Sequence, residues 1–179
     1  MGESRDRNSR PKLEAQFARV MSENGAAVGR LAWGYTNSSS DRDELVQDIA
    51  FAFWRALPTF RGECSERTFL FRIAHNHGIR HLSKRRALVS LDASQDEVED
   101  LSPSAEDMLT EEQQSKQLER AIRTLPVMYQ QVLMLSLEGL DYAEISQVLG
   151  ISENNVGVRL NRARQLLRKQ MAGGNPNRK

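Results

Sequence analysis

The chain has 179 residues, 39% of them hydrophobic and 27% charged, and its formal net charge is +1. This length suits one domain of ordinary size or two small ones, and no stretch approaches the roughly 18 consecutive apolar residues of a membrane span. The polar N-terminus does not have the pattern of a secretory signal, and a single cysteine, Cys64, excludes an internal disulfide framework and a multi-cysteine zinc site. We therefore expect a cytoplasmic protein without direct membrane insertion.

The near-neutral net charge conceals a segregated pattern. Residues 61–86 hold seven basic and two acidic residues, residues 87–115 hold nine acidic and no basic residues, and residues 151–179 hold seven basic residues and one acidic residue. Two basic blocks that flank an acidic block indicate nucleic acid as a partner of the basic segments. Ordinary solvated faces are the alternative interpretation of the charge alone.

The first half of the chain has helical patterning. Apolar residues recur at helical spacing, and no alternating run with hairpin turns is present, so we predict an all-α fold. Helices are predicted over residues 11–36, about 41–57 and about 66–86. The dipeptide Asn24-Gly25 would break the first helix or divide it into two. The turn at 37–41 caps the second helix, and Pro58 and Gly62 bracket the loop after it.

The second half of the chain begins after an acidic segment. Residues 90–107 are Ser-rich, contain Pro103 and can bury little, so they are predicted to form a linker. The helices that follow are predicted over about 110–124, from Pro126 to Gly139, from Asp141 to Gly150, and from Ser152 to about Met171. Asp141 and Glu144 have the spacing of a capping box. The predicted architecture is two small helical domains joined by an acidic flexible linker.

The last two predicted helices have the pattern of a helix-turn-helix. Ser146 is small enough to let the two helices approach, Gly150 permits the turn, and Val156 locks the second helix against the first. On a wheel of 100° per residue, the core face of the last helix holds Val156, Leu160, Ala163 and Leu167.

The opposite face of the last helix has the side chains of a DNA reader. Asn, Gln and Arg pair bidentately with base edges, and flanking Arg residues suit phosphates. This face holds Asn154, Val158, Asn161, Arg162 and Gln165, with Arg159 and Arg164 at its flanks. Val158 is the apolar exception and could contact a thymine methyl group. A helix that is merely solvated is the alternative, which the turn signature disfavours.

The predicted helix over 41–57 carries an apolar residue on its polar side. Its core face holds Leu45, Val46, Ile49, Phe53 and Leu57, and its outer face holds Glu44, Gln47, Asp48 and Arg55. Phe51 lies among the outer residues and forgoes roughly 1.5–3 kcal/mol of possible burial. A docking surface for a protein partner is one interpretation, and a single exposed apolar residue of the ordinary kind is the other.

Two long segments of the chain resemble one family of bacterial proteins. Residues 41–86, with the motifs DELVQD, FRGE and RIAHN, closely resemble the second domain of extracytoplasmic-function (ECF, group 4) sigma factors of the sigma-70 family. Residues 118–169 resemble the fourth domain of the same RNA polymerase subunits. The resemblance spans about residues 13–171 and implies an N-terminal tail (1–12), domain 2 (13–86), an acidic linker (87–113), domain 4 (114–171) and a C-terminal tail (172–179).

The resemblance implies roles for matching positions. The family's D-x-L-V-Q-[DE] helix docks on a coiled coil of the polymerase β′ subunit, and the outward residues here are Asp43, Glu44, Gln47, Asp48 and Phe51. The F-R-G-[DE] loop and the Asn of R-I-A-x-N hold a base flipped from the promoter −10 element, and basic residues nearby neutralise phosphates. The matching residues are Phe60, Arg61, Asn76, Arg72, Arg80, Lys84 and Arg85. The last helix would read the −35 element through Asn154, Asn155, Val158, Arg159, Asn161, Arg162 and Gln165.

Several positions depart from the family pattern. Phe69 and Phe71 stand where the family commonly has Trp and Tyr, so both remain aromatic. Gly157 and Val158 stand where Lys and Ser are frequent, and Asn155 replaces a frequent Thr. These differences bear on which −35 sequence is read and leave the role unchanged.

The expected partners are core RNA polymerase (β′ and β subunits), promoter DNA and an anti-sigma factor. We expect no enzyme activity, small-molecule substrate or cofactor, because no catalytic triad, phosphate-binding glycine loop or paired-carboxylate motif is found. His77 and His81 could chelate a metal, but no carboxylate or Cys has matching helical spacing on their face, so no metal is predicted. Two other functions compete. One is a helix-turn-helix regulator that binds duplex DNA as a dimer without polymerase, and the other is a protein that only sequesters a partner.

Overall fold

The structure, a computed structural model, describes residues 3–91 and 111–173. These residues form seven α-helices and one 3₁₀ turn: α1 Glu3–Trp33, α2 Ser39–Ala56, the turn Leu57–Thr59, α3 Glu66–Leu91, α4 Glu111–Arg123, α5 Val127–Leu137, α6 Tyr142–Leu149 and α7 Glu153–Gly173. No strand occurs within these two ranges, and the predicted all-α fold is confirmed. Most of the predicted acidic linker (87–113) and of the tail (172–179) lies outside the described residues.

The first helix corrects one prediction. The expected break at Asn24-Gly25 is wrong, because α1 is continuous from Glu3 to Trp33 and so also includes residues 3–12 of the predicted tail. The Asn24 amide is buried and donates to the Val20 carbonyl one turn earlier, at 2.9 Å, so it is satisfied inside the helix. Burial of Val20 and Val28 against the core outweighs the roughly 1 kcal/mol that a glycine costs in a helix.

Helices α1, α2 and α3 enclose the first part of the core. Of the predicted core face, Leu45, Ile49 and Phe53 are buried in α2 and Leu57 is buried just after it, whereas Val46 is half-buried. Helix α2 begins at Ser39, and the Ser38 hydroxyl before it accepts the Asp41 backbone N–H at 3.1 Å, which satisfies one free amide of the first turn. Helix α3 continues to Leu91, beyond its predicted end at residue 86.

A buried tyrosine joins the end of α1 to α3. The Tyr35 ring occupies the space beside Gly78, where a Cβ atom would lie 2.5 Å from Tyr35 Cδ2. The Tyr35 hydroxyl lies 3.0 Å from His75 Nδ1. Burial raises the pKa of Tyr35 and lowers the pKa of His75, so both groups are held in their neutral forms.

Helices α4 to α7 form the second part of the core around Val132, Ile145, Val156 and Leu160. The predicted capping box is confirmed: the Asp141 carboxylate accepts the Glu144 backbone N–H at 2.8 Å, and the Asp141 N–H donates to the Glu144 carboxylate at 3.1 Å. Gly150 ends α6 with a φ of 67°, a conformation that glycine adopts without steric cost. The helix-turn-helix is therefore built as its turn residues predicted.

The two halves pack directly against each other, with α3 against α6. The Arg30 guanidinium donates two hydrogen bonds, of 2.6 and 2.8 Å, to the Glu138 carboxylate, and Arg67 donates to the Glu138 carbonyl. Thr68 Oγ1 donates to the Glu144 carboxylate at 3.2 Å. These groups are far apart in sequence, and the sequence patterns did not predict the contact.

A second bridge joins α4 to the end of α1. The Arg123 guanidinium lies over the Trp33 ring, 4.0 Å from its centroid, and donates to the Thr36 carbonyl at 2.8 Å. Desolvation lowers the pKa of Arg123 from its ordinary value. The cation–π contact and the hydrogen bond compensate for this loss of solvation.

Candidate partner-docking and nucleic-acid interfaces

The outer face of α2 carries the residues predicted to dock on polymerase. Their side chains are exposed: Asp43, Glu44, Gln47, Asp48 and Phe51. Phe51 is 63% exposed, and the Arg55 guanidinium lies 5.7 Å from its ring centroid. Because the residues recur at i, i+4 and i+8, they share one face of the helix. An aromatic ring among carboxylates and an amide suits a protein partner with an apolar spot and basic surroundings.

The loop between the 3₁₀ turn and α3 forms a recess of about 180 Å³, lined by Thr59, Phe60, Arg61, Glu63, Cys64, Phe69 and Arg72. The rings of Phe60 and Phe69 stack with centroids 4.8 Å apart. The Arg72 guanidinium lies 5.5 Å from the Phe69 centroid. Gly62 has a φ of 73°, which allows the loop to turn back over the helix. An aromatic wall with guanidinium groups can stack an unpaired base and attract its phosphate.

The predicted −10 residues lie on the loop and along one polar stripe of α3. Arg72, Asn76, Arg80 and Lys84 recur at every fourth position and are exposed. The structure brings Phe60, Arg61 and Arg72 together around the recess. Asn76 lies one turn further along and is not part of the recess lining. Arg85 is half-buried, and its Nη1 atom has no hydrogen-bond partner.

The last helix presents its predicted reading face. Of the predicted core face, Val156, Leu160 and Ala163 are buried, and Leu167 is half-buried against the core. The exposed residues opposite them are Asn154, Val158, Asn161, Arg162 and Gln165. Asn155 and Arg159 are half-buried and bind each other, since Arg159 Nε donates to Asn155 Oδ1 at 3.1 Å. This pair is pre-arranged at the edge of the face.

Tyr142 adds to this face and was missed by sequence reasoning. It is the first residue of α6 and is 45% exposed. A Cβ atom at Gly157 would lie 3.3 Å from Tyr142 Cε2, so the ring covers the backbone of α7 at that glycine. A shallow recess of about 430 Å³ is lined by Tyr142, Glu153, Asn154, Gly157, Val158 and Asn161. The glycine at residue 157 was the only sequence signal of this contact, and it could not identify Tyr142, which lies on another helix.

The histidines do not form a cluster of metal ligands. Within the described ranges, no group of three or more His, Cys, Asp or Glu side chains is placed to hold a metal ion. His81 Nε2 instead faces the Asp41 carboxylate at 3.5 Å. In the same part of the chain, no helix has both the length and the apolar character needed to cross a membrane.

Comparisons with known proteins match both halves. The family model described as Sigma-70 region 2 matches residues 20–88, and the model described as Sigma-70, region 4 matches residues 115–167. The chain is 29% identical over 157 residues to the RNA polymerase sigma factor NccH of Alcaligenes xylosoxydans xylosoxydans, covering 84% of each chain. It is 30% identical over 140 residues to the ECF RNA polymerase sigma-E factor of Haemophilus influenzae, covering 73% of this chain and 74% of that protein.

A solved structure has the same fold. It is the sigma factor RpoE in complex with the anti-sigma factor NepR from Bartonella quintana, with a TM-score of 0.71 and 19% sequence identity. The match covers 91% of this chain and 99% of that chain. At this identity the likeness concerns the arrangement of the helices alone.

Proposed function

The chain belongs to the extracytoplasmic-function sigma factors of the sigma-70 family, and on this basis we propose that its two halves have different roles in transcription initiation. Domain 2 (13–86) binds core RNA polymerase and the −10 element, and domain 4 (114–171) reads the −35 element. The chain gives the polymerase its promoter specificity, has no catalytic activity of its own, and acts in the cytoplasm. The interval between the two matched regions, residues 89–114, is too short for a further domain, which supports membership of group 4.

One observation carries the polymerase-binding part of the proposal. Phe51 is 63% exposed on a helix whose opposite face is buried through Leu45, Ile49 and Phe53. Gln47 and Asp48 stand beside it with their side chains free in solvent. A large ring in this position gains stability only when a partner covers it, and such rings are the typical anchors of protein interfaces. The partner is the β′ subunit of the polymerase, with the β subunit as a further contact of the bound chain.

The recess at the 3₁₀ turn supports recognition of the −10 element. An unpaired base would stack against the Phe60 and Phe69 rings, while Arg61 and Arg72 attract the melted strand. Asn76 would then hydrogen-bond a neighbouring base edge from the next turn of α3, and Arg80, Lys84 and Arg85 would neutralise phosphates. The chain thus helps to melt the upstream edge of the transcription bubble.

Reading both elements on one duplex requires the two halves to separate. By their names, the −10 and −35 elements are centred about 25 base pairs apart, which is about 85 Å of duplex at 3.4 Å per pair. In the packed arrangement α3 and α6 are in contact, and Thr68 on α3 hydrogen-bonds to Glu144 on α6. The packed arrangement is therefore the form that precedes promoter binding. An anti-sigma factor, the kind of partner that RpoE has in its solved complex, would act on this form.

A test of the proposal mixes the purified chain with bacterial core RNA polymerase and follows co-elution by size-exclusion chromatography. The wild type is expected to co-elute with core, and the triple variant Gln47→Ala, Asp48→Ala, Phe51→Ala is expected to elute separately. The matched control replaces three exposed residues of α1, namely Arg10, Glu14 and Glu23, and should co-elute as the wild type does.

This experiment, followed by a duplex-DNA binding assay of the chain without core, discriminates the sigma-factor proposal from the helix-turn-helix regulator. A folded wild type that stays apart from core would refute the assignment of domain 2. A free dimer that binds duplex promoter DNA in the absence of core would favour the helix-turn-helix regulator. Circular dichroism of each variant distinguishes lost docking from lost folding.

A further inference from the structure

We propose that Tyr142 and Val158 together form a site that seats the C5-methyl group of one thymine in the −35 element. The inference rests on the proposed function, because it assumes that α7 lies in the major groove of that element. It goes further by naming a second helix as a source of base specificity and by naming the base that is read.

The capping box fixes where Tyr142 lies. Its neighbour Asp141 is held by reciprocal hydrogen bonds of 2.8 and 3.1 Å with Glu144, so the first turn of α6 has a defined start. Tyr142, at the start of this helix, lies beside Gly157 and lines a recess with Asn154 and Val158. These three neighbours of Tyr142 belong to the N-terminal part of α7, where a recognition helix places its base-reading side chains. Tyr142 therefore reaches the reading face from outside α7.

Gly157 provides the space that the ring occupies. The ideal position of a Cβ atom at residue 157 is 3.3 Å from Tyr142 Cε2 and 4.0 Å from Cδ2. Any larger side chain at this position would have to displace the ring. The ring thus takes the place of a side chain of α7, and an aromatic surface stands where the recognition helix itself has none.

The ring and Val158 leave apolar surface open to the groove. Tyr142 is 45% exposed and Val158 is 47% exposed, although both lie beside well-packed helices. They line one recess together with Asn154, Asn161, Gly157 and Glu153. Exposed apolar surface that borders two amides has a direct counterpart in DNA, because thymine is the base that presents a methyl group in the major groove.

The amides that border the recess suit the other half of the same base pair. An Asn side chain pairs bidentately with adenine N6 and N7, and adenine lies opposite or beside a thymine in an A·T-containing site. Glu153 also lines the recess, and a Glu carboxylate is the kind of group that accepts a hydrogen bond from cytosine N4. Cytosine has no C5-methyl group for the ring of Tyr142 and the methyl groups of Val158 to contact, so the thymine assignment follows from this pair.

The test removes a single methyl group from the DNA. Holoenzyme made from the wild-type chain first selects −35 elements from a random library. Each thymine of the selected element is then replaced singly by deoxyuridine, which lacks only the C5-methyl, and affinity is measured. One replacement is expected to weaken binding by about fourfold, which corresponds to about 0.8 kcal/mol for one buried carbon.

Protein variants locate the reader. Tyr142→Ala and Val158→Ala should bind the thymine and deoxyuridine forms of that position equally, whereas Tyr142→Phe should keep the fourfold preference. Gln165→Ala, on the same helix but outside the recess, should weaken binding to both forms and keep their ratio. All variants are first checked for folding by circular dichroism and for co-elution with core.

Two results would overturn the inference. The first is a holoenzyme that selects a −35 element but loses no affinity at any thymine-to-deoxyuridine position. The second is retention of the methyl preference by both Tyr142→Ala and Val158→Ala. In either case selection itself has succeeded, so the proposed function stands while the inference fails. If no element is selected at all, the proposed function fails and the inference with it.

Discussion

Replacing Gly78 by Ala should destabilise the fold, although alanine is the better helix former. The new Cβ atom would lie 2.5, 2.6 and 2.7 Å from Cδ2, Cγ and Cε2 of the Tyr35 ring. The ring cannot easily retreat, because it is buried and its hydroxyl is held at 3.0 Å from His75 Nδ1. The substitution therefore forces the ring away from α3 and strains or breaks that hydrogen bond.

The change in the free energy of unfolding is the sum of two destabilising terms and one stabilising term. Overpacking of this kind costs about 1–3 kcal/mol, and loss of the Tyr35–His75 hydrogen bond costs about 1 kcal/mol. The change from glycine to alanine within a helix stabilises the fold by about 1 kcal/mol. The free energy of unfolding should therefore fall by about 1–3 kcal/mol.

Two glycines of α1 provide matched controls. Gly25 and Gly29 also lie inside a helix, and apart from the nearby backbone of that helix a Cβ atom at either position would meet no atom within 4 Å. Gly25→Ala and Gly29→Ala should raise the free energy of unfolding by about 0.5–1 kcal/mol. Urea unfolding followed by circular dichroism measures the free energy of unfolding of all three variants, which should share one dependence on urea concentration. If Gly78→Ala proved as stable as the two controls, the close approach of Tyr35 to α3 would be refuted.

Three further perturbations test other parts of the structure. Burial lowers the pKa of His75 below 6.5, so as pH falls the unfolded state binds the proton before the folded state does. The free energy of unfolding should therefore decline as pH falls below 6.5. In urea unfolding between pH 7.5 and 5.5, His75→Gln should make this decline smaller. Asp141→Ala removes one half of the capping box and should lower the free energy of unfolding by about 1 kcal/mol, whereas an unchanged midpoint would contradict the cap geometry. Glu138→Gln weakens the bridge to Arg30, whose 59% exposure limits the loss to about 1 kcal/mol or less; small-angle X-ray scattering should detect a larger radius of gyration, while Glu14→Gln, in an exposed pair within α1, should leave it unchanged.

Local patterns were sufficient to predict much of the candidate sites. The exposed Phe51 and the buried Leu45, Ile49 and Phe53 follow from helical periodicity, because that period determines which side chains share a face. The capping box at Asp141 follows in the same way from the spacing of two side chains. These features depend on residues within one or two turns of each other.

Features that depend on distant partners were not predictable. Asn24 and Gly25 locally favour a helix break, and it is the buried environment of α1 that overrides this preference. The ion pair between Arg30 and Glu138 joins residues 108 positions apart, and no periodicity encodes such a pair. Gly157 stands where the family frequently has Lys, and no local pattern shows that its neighbour across the helix-turn-helix is an aromatic ring.

Run-off transcription from a promoter selected out of a random library tests whether this chain directs polymerase to promoters. Core RNA polymerase is assayed alone, with the wild-type chain, and with a variant carrying Asn161→Ala and Arg162→Ala on the reading face of α7. The wild type should produce transcripts that start at a constant distance from a shared pair of −10 and −35 elements, and the variant should produce far fewer. A folded wild-type chain that adds no start site beyond those of core alone would contradict its assignment as a promoter-specificity subunit.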